Sequence, residues 1–347
     1  MAGLPSTPRP DGQVRGRLAP SPTGLPHLGN AWAFFMAWFL CRRSGGRLVL
    51  RMEDLDPARS RSDCAASIMA DLRWLGLDWD EGVNEADPQG LCGSHAPYTQ
   101  SLRASLYQTA LNRLEQGGHT YPCFCSRKDL RTLAGAPHVG DEGAPYSGAC
   151  RDLSVKAQSA LLLQGRRPCI RLRCHDRRVC FTDRIQGAQD LTLAACGGDF
   201  ALCRSDGVIA YQLAVVVDDG CMGINQVVRG RDILLSTPRQ LVLCELLGLP
   251  YPEYVHLPLI CDQYGERLAK RHHSLSLHAL RQAGIKPEAI IGYLAWKSGL
   301  LAEAQSVYPA RMAAVDLVFP SWWRGQNIIL DSDPLAALRR LSSSKSV

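Results

Sequence analysis

Gly16-Arg17-Leu18-Ala19-Pro20-Ser21-Pro22-Thr23-Gly24-Leu25-Pro26-His27-Leu28-Gly29-Asn30 holds a strand end, a turn-rich loop and a helix start. Val14–Ala19 reads as a short strand, broken at Pro20-Ser-Pro-Thr-Gly24 because Pro and Gly interrupt regular structure. The apolar run that follows predicts a helix over 29–43, stopped by Gly45-Gly46. Its most apolar part, Ala31–Cys41, is shorter than the roughly 20 residues of a membrane span, so the helix belongs in a core. Arg47-Leu-Val-Leu-Arg-Met-Glu53 is of strand length, and Cys64, Ile68, Leu72 and Leu75 keep helical spacing within 58–75. Strand, helix, strand, helix is a βαβ unit, which argues for an α/β fold with a parallel sheet.

Further along, the pattern changes. Residues 111–190 read as an insertion: Cys-rich at 121–127, Gly/Pro-rich at 134–150, then a hairpin. In that hairpin Ile170, Leu172 and Cys174 alternate with Arg171 and Arg173, His175-Asp176-Arg177 turns, and Val179–Phe181 returns. Tyr211–Asp219, a helix near 237–248 and a strand at 255–260 return to the core sheet, and 275–345 reads as short helices. This divides the chain into a disordered leader (1–13), a catalytic domain (14–110 and 191–262), the insertion (111–190), and a lysine loop with a helical region (263–347).

Composition narrows the class. With 46% hydrophobic and 21% charged residues, disorder, collagen and coiled coil are excluded for the whole chain. The net charge of +6 permits an anionic partner such as nucleic acid without requiring one. Fourteen Cys in 347 residues is below the roughly 8–10% of a disulfide scaffold. With no apolar signal segment, the expectation is a cytosolic, monomeric protein with reduced Cys.

Four clusters carry chemistry. His27-Leu28-Gly29-Asn30 opens a helix, whose unpaired N–H groups and dipole favour phosphate. An ordinary βα turn explains it as well. Glu266–His273 is a basic cluster in which Lys270 can neutralise a departing pyrophosphate; the alternative is a solvated loop. Arg51-Met-Glu53-Asp54-Leu-Asp56-Pro57 ends a strand at the edge where open α/β sheets bind ligands, or else caps the next helix. Cys123, Cys125 and Cys150 supply three thiols, with Tyr146 or His138 as a fourth donor for tetrahedral zinc. The remaining Cys, including Cys169, fit apolar core patterns.

Taken together, these residues resemble the class I glutamyl-tRNA synthetase family. Gly16–Gly24 with His27–Asn30 resembles its strand, Pro-Ser-Pro-x-Gly loop and HIGH motif, and Arg51–Pro57 its Arg-Ile-Glu-Asp segment. Tyr211…Asp218-Asp219 and Val228-Arg229-Gly-Arg-Asp232 match two further blocks, and Arg267-Leu-Ala-Lys270-Arg271 stands at the KMSKS position. The match spans about residues 15–273 in unbroken order. It implies a Rossmann-type catalytic domain with a zinc-containing insertion and a C-terminal helical region. Only 77 residues follow Lys270 (347 − 270), which leaves no room for the family's helical anticodon-binding region. The chain thus most resembles the shortened branch, whose zinc pattern favours Tyr146 as fourth ligand.

The resemblance implies that glutamate and Mg-ATP give glutamyl-adenylate. The glutamyl group then passes to queuosine at wobble position 34 of tRNA(Asp). Carried over, Arg17, Leu18, Ala19, Pro20, Ser21, Glu53, Tyr211 and Arg229 form the glutamate pocket. His27, Gly29, Asn30 and Lys270 face ATP, with His27 and Lys270 catalytic, and Cys123, Cys125, Tyr146 and Cys150 hold one structural zinc. The Arg-rich stretch 166–184 faces either RNA or solvent. The nearest alternative is a compact ligase charging a tRNA 3′ end. A small-molecule nucleotidyltransferase and a non-catalytic RNA-binding paralogue are disfavoured by the glutamate-type set and by retention of His27, Gly29 and Lys270.

Overall fold

The computed structural model describes residues 12–126, 129, 146–268, 275–312 and 318–343. Strand β1 (Arg15–Leu18) pairs in parallel with β2 (Arg47–Leu50), joined by α1 (Leu28–Arg43). Helix α2 (Ser62–Trp74) leads to β3 (Glu81–Gly82), which extends the sheet beyond β2. The βαβ reading therefore holds. Leu48, Val49 and Leu50 are fully buried, the reason this strand reads as a continuous apolar run rather than an alternation. The same holds for α1, apolar on nearly every side because it is enclosed in the main core. Gly46 follows it because a Cβ there would lie 2.5 Å from the Val14 carbonyl oxygen.

Helix α3 (Ala104–Gln116) buries Tyr107, Ala110, Leu111 and Leu114 in a second core, so it runs across the expected boundary at 110/111. The insertion then supplies β4 (Thr120–Cys123), α4 (Val155–Leu163), β5 (Cys169–Leu172), β6 (Arg178–Asp183), β7 (Gly187–Thr192) and β8 (Ala201–Cys203). The hairpin differs from expectation. Strand β5 pairs with β4 and β8, whereas β6 pairs with β7. Turn chemistry decides this: the Asp183 carboxylate accepts from the N–H groups of Ile185 and Gln186, and Gly187 adopts φ 77°. The inserted sheet reaches residue 203, beyond the expected limit of 190.

Helix α5 (Tyr211–Cys221), β9 (Gln226–Gly230), α6 (Thr237–Leu247) and β10 (Glu253–Leu257) complete the core, with β9 and β10 parallel. Strand β9 runs beside β1, where Asn225 N–H donates to the Arg15 carbonyl. The three-stranded ladder β3-β2-β1 and the two-stranded ladder β9-β10 thus lie side by side, giving the spatial order β3-β2-β1-β9-β10 of a Rossmann-like core. A short strand β11 (Ile260–Cys261), helices α7 (Leu277–Gln282) and α8 (Pro287–Lys297), strand β12 (Ile328–Ile329) and helix α9 (Pro334–Ser343) follow. Among the described residues no helix is long and apolar enough to cross a membrane. Most of the expected leader, residues 1–11, lies outside the described residues.

Candidate active site

Between the carboxyl ends of β1 and β9 the chain leaves in opposite directions, and such a switch point opens a crevice. A cleft of about 790 Å³ lies there, lined by Arg17, Ala19, Pro20, Ser21, His27, Asn30, Glu53, Tyr211 and Arg229 among others. Nine of the predicted site residues thus share one cavity. Leu18 does not contribute its side chain, which packs into the core at 1% exposure while its carbonyl accepts from Arg51 N–H.

Charge organises the floor. Arg51 is fully buried; its Nη1 donates to Asp219 Oδ1 at 2.7 Å and its Nη2 to Glu53 Oε1 at 3.0 Å. Burial opposes its charge, but Asp219, Glu53 and Asp218 outweigh this and hold the guanidinium well above its ordinary value. Asp218 accepts from Arg103 Nε at 2.6 Å and Gln100 Nε2 at 2.7 Å, and from the Tyr107 hydroxyl. Burial pushes the Glu53 carboxyl up, with Arg51 and Arg17 opposing. Arg17 donates through Nη1 to the Val228 carbonyl at 3.1 Å, and its buried Nε has no hydrogen-bond partner. Tyr211 lines the cleft, and desolvation of its phenol raises it above its ordinary value, with Arg229 opposing.

Arg229 is held differently. Its Nε donates to His256 Nε2 (2.9 Å), Nη1 to Gln240 Oε1 (2.8 Å) and Nη2 to Thr237 Oγ1 (2.8 Å). All three acceptors are uncharged side chains when His256 is neutral, and desolvation pushes that imidazole down to about 4.

At the other end of the cleft, His27 caps α1. Its Nδ1 accepts from Gly29 N–H (3.0 Å), and Asn30 Oδ1 accepts from His27 N–H (3.0 Å). This fixes the proton of a neutral imidazole on Nε2, a donor suited to a phosphate oxygen. Gly29 is needed by His27 itself: a Cβ there would sit 2.9 Å from His27 Cε1. The first turn of α1 carries no acid, which leaves its dipole uncancelled. Lys270, like Ala269 and Arg271, lies outside the described residues. The shoulders of that segment flank this end: Arg267 and Leu268 line the cleft, and Ser276 bridges to His27.

In the insertion, the sulfurs of Cys123, Cys125 and Cys150 lie within 4.8 Å of one another. Cys125 and Cys150 are 3.6 Å apart, close to the roughly 3.8 Å edge of a tetrahedral zinc–thiolate site with Zn–S near 2.3 Å. The Tyr146 oxygen is 3.4 Å from Cys123 Sγ and accepts from Cys150 N–H at 2.7 Å, so the tyrosine joins the cluster. Cys169 faces Cys123 across the β4–β5 ladder and packs against the small core of Tyr121, Cys123, Phe124 and Cys150, in keeping with its apolar pattern. His138 lies outside the described residues. Of the Arg-rich stretch, Arg171 is buried over the Tyr146 ring, and Arg177, Arg178 and Arg184 pair with Glu245, Asp190 and Glu253.

Sequence reading gave no role to Arg103, His256 or Asp183, which stand behind the cleft from distant positions. Only the tertiary structure brings Arg103 to Asp218 and Asp183 to His256.

Residues 13–307 match the family of class I tRNA synthetases (E and Q), catalytic domain. A glutamyl-Q tRNA(Asp) synthetase of Nitratidesulfovibrio vulgaris is 57% identical over 290 residues, 84% of this chain and 88% of that protein. One of Symbiobacterium thermophilum is 48% identical, covering 86% and 91%. A glutamate–tRNA ligase 2 of Syntrophus aciditrophicus is 42% identical over 84% of this chain and 59% of its own. Among solved structures, a glutamate tRNA ligase of Elizabethkingia meningosepticum in complex with its amino acid superposes with a TM-score of 0.76 at 25% identity, covering 93% of this chain and 68% of that one.

Proposed function

This chain belongs to the class I tRNA synthetase (E and Q) family, and on that premise we propose that it glutamylates queuosine at the wobble position of tRNA(Asp). It is a ligase of the aminoacyl-tRNA synthetase type. The observation that carries the finer reading is the 57% identity to a glutamyl-Q tRNA(Asp) synthetase across 88% of that protein.

Glutamate brings two carboxylates and one ammonium. Arg17 and Arg229 suit the carboxylates, since guanidinium forks match them in pairs of hydrogen bonds. Glu53 takes the ammonium, and Tyr211 closes the cleft wall. The α-carboxylate oxygen attacks the α-phosphorus of Mg-ATP, forming glutamyl-adenylate as pyrophosphate leaves. His27 Nε2–H donates to a phosphate oxygen, and Lys270 neutralises the leaving pyrophosphate. A hydroxyl of the queuosine cyclopentenediol then attacks the glutamyl carbonyl, and AMP departs. No protein nucleophile is required; positioning and charge stabilisation suffice. Lys270→Ala should lower turnover while leaving glutamate binding in place.

Cys123, Cys125, Cys150 and Tyr146 fit one zinc in donor type and spacing. Bound zinc would tie β4 to the loop at 146–150, with no open position for substrate. Metal analysis should return about one zinc per chain; a folded protein with none would remove the site.

The deciding experiment transfers labelled glutamate to queuosine-containing tRNA(Asp), unmodified tRNA(Asp) and tRNA(Glu), followed by periodate oxidation of the 3′ end. Label confined to the queuosine form and indifferent to periodate supports the proposal. Label on tRNA(Glu) that periodate blocks would make this a 3′-end charging enzyme, the activity named for the Syntrophus relative.

A further inference from the structure

We propose that the buried Asp183–His256 pair is a positioning and specificity device: it holds Arg229 through an uncharged acceptor, so the site selects a carboxylate over an amide. The inference rests on the glutamate reading above.

Asp183 sits at the end of β6, at 1% exposure, and His256 in β10, at 0%. His256 Nδ1 lies 2.6 Å from Asp183 Oδ2, and the same carboxylate accepts from His256 N–H. A carboxylate this close fixes the imidazole proton on Nδ1. Nε2 is then a lone pair aimed at Arg229 Nε, 2.9 Å away. Were the ring turned to the other tautomer, or doubly protonated, two N–H groups would face each other at that point.

The chemical result concerns charge. Gln240 and Thr237 also hold Arg229, and among the described residues it has no ion pair. A guanidinium has five N–H groups; three are used, and one remains on each terminal nitrogen. Arg229 lines the cleft and lies over the Tyr254 ring, 5.0 Å from its centroid, a neutral π face, so an anionic counter-charge is left to the ligand. A carboxylate supplies it; an amide leaves a buried charge uncompensated. The Asp183 charge, by contrast, is absorbed by backbone N–H groups of Ile185, Gln186 and His256.

The tests are kinetic and spectroscopic. Asp183→Asn can donate to Nδ1, which moves the ring proton to Nε2 against Arg229. The KM for glutamate in ATP–pyrophosphate exchange should rise about 10- to 100-fold, the factor for one lost charge-assisted hydrogen bond, with the KM for ATP nearly unchanged. Preference for glutamate over glutamine should fall in parallel. Because Asp183 also supports a turn, His256→Gln serves as the second variant: its side-chain oxygen can replace the Nε2 acceptor and should retain most glutamate affinity, whereas His256→Leu should not. In 15N-labelled wild-type protein, His256 should show protonated Nδ1 and bare Nε2 from pH 5.5 to 8. A proton on Nε2, titration of the ring within that range, or an unchanged glutamate KM in folded Asp183→Asn overturns the inference. Absence of glutamate-dependent exchange in the wild type overturns the glutamate reading and the selectivity claim with it.

Discussion

The two sides of the cleft bury arginines in opposite ways. On the floor, Arg51 and Arg103 meet Glu53, Asp218 and Asp219, so positive charge is matched inside the protein. On the β9 side, Arg229 meets a neutral imidazole, an amide and a hydroxyl. An arginine matched in this way is scaffold: it specifies geometry and leaves no positive charge for a ligand, while Glu53, one of three carboxylates around these two arginines, still faces the cleft. Unmatched charge, held by dipoles, is stored for a substrate that brings the counter-charge.

The contrast can be broken at several points. The largest effect should come from Asp218→Ala, which strands the buried Arg103 guanidinium and removes one of the three carboxylates around Arg51; the loss in urea unfolding should be about 3–5 kcal/mol. Next, Arg229→Met should cut kcat/KM for glutamate by about 100-fold or more, yet change stability by only about 1–2 kcal/mol, since it removes no ion pair. Equal losses of stability in the two variants would erase the distinction.

A third buried charge sharpens it. Asp71 is 1% exposed, its Oδ2 has no hydrogen-bond partner, and it shares a cavity with His278 and Arg281. Desolvation pushes its carboxyl up to about 6, with His278 and Arg281 only partly opposing. The folded state therefore holds this proton more tightly than the unfolded chain, and stability falls as pH rises from about 4 through about 6. Asp71→Asn should stabilise the protein by about 1–2 kcal/mol at pH 8, since the buried amide, itself short of partners, offsets part of the gain. The gain should vanish below about pH 4. The smallest effect belongs to Arg178→Ala: that pair with Asp190 is 71% and 47% exposed, and thermal unfolding should not shift measurably.

The local elements of the fold were readable in the sequence because their causes are local. Proline and glycine punctuation marked the ends of β1 and α1, and the apolar runs of β2 and α1 reported burial on all sides. The hairpin was misread because alternation at 170–174 looked like a partner for 179–181. Pairing was decided by the Asp183 turn and by the distant β4 and β8. Candidate site residues clustered at sheet ends were readable for the same reason that ligands bind there. Leu18 came with the family block, and strand alternation turns its side chain into the core, away from its neighbour's.

By itself, the sequence determined the βαβ core, the helix start at His27 and the three thiols at 123, 125 and 150, since each depends on neighbours within a few tens of residues. Only the tertiary structure decided which arginine keeps its charge. Arg17, Arg51, Arg103 and Arg229 are alike as letters, and whether a buried guanidinium meets a carboxylate or a neutral acceptor depends on side chains drawn from strands and helices far apart in the chain.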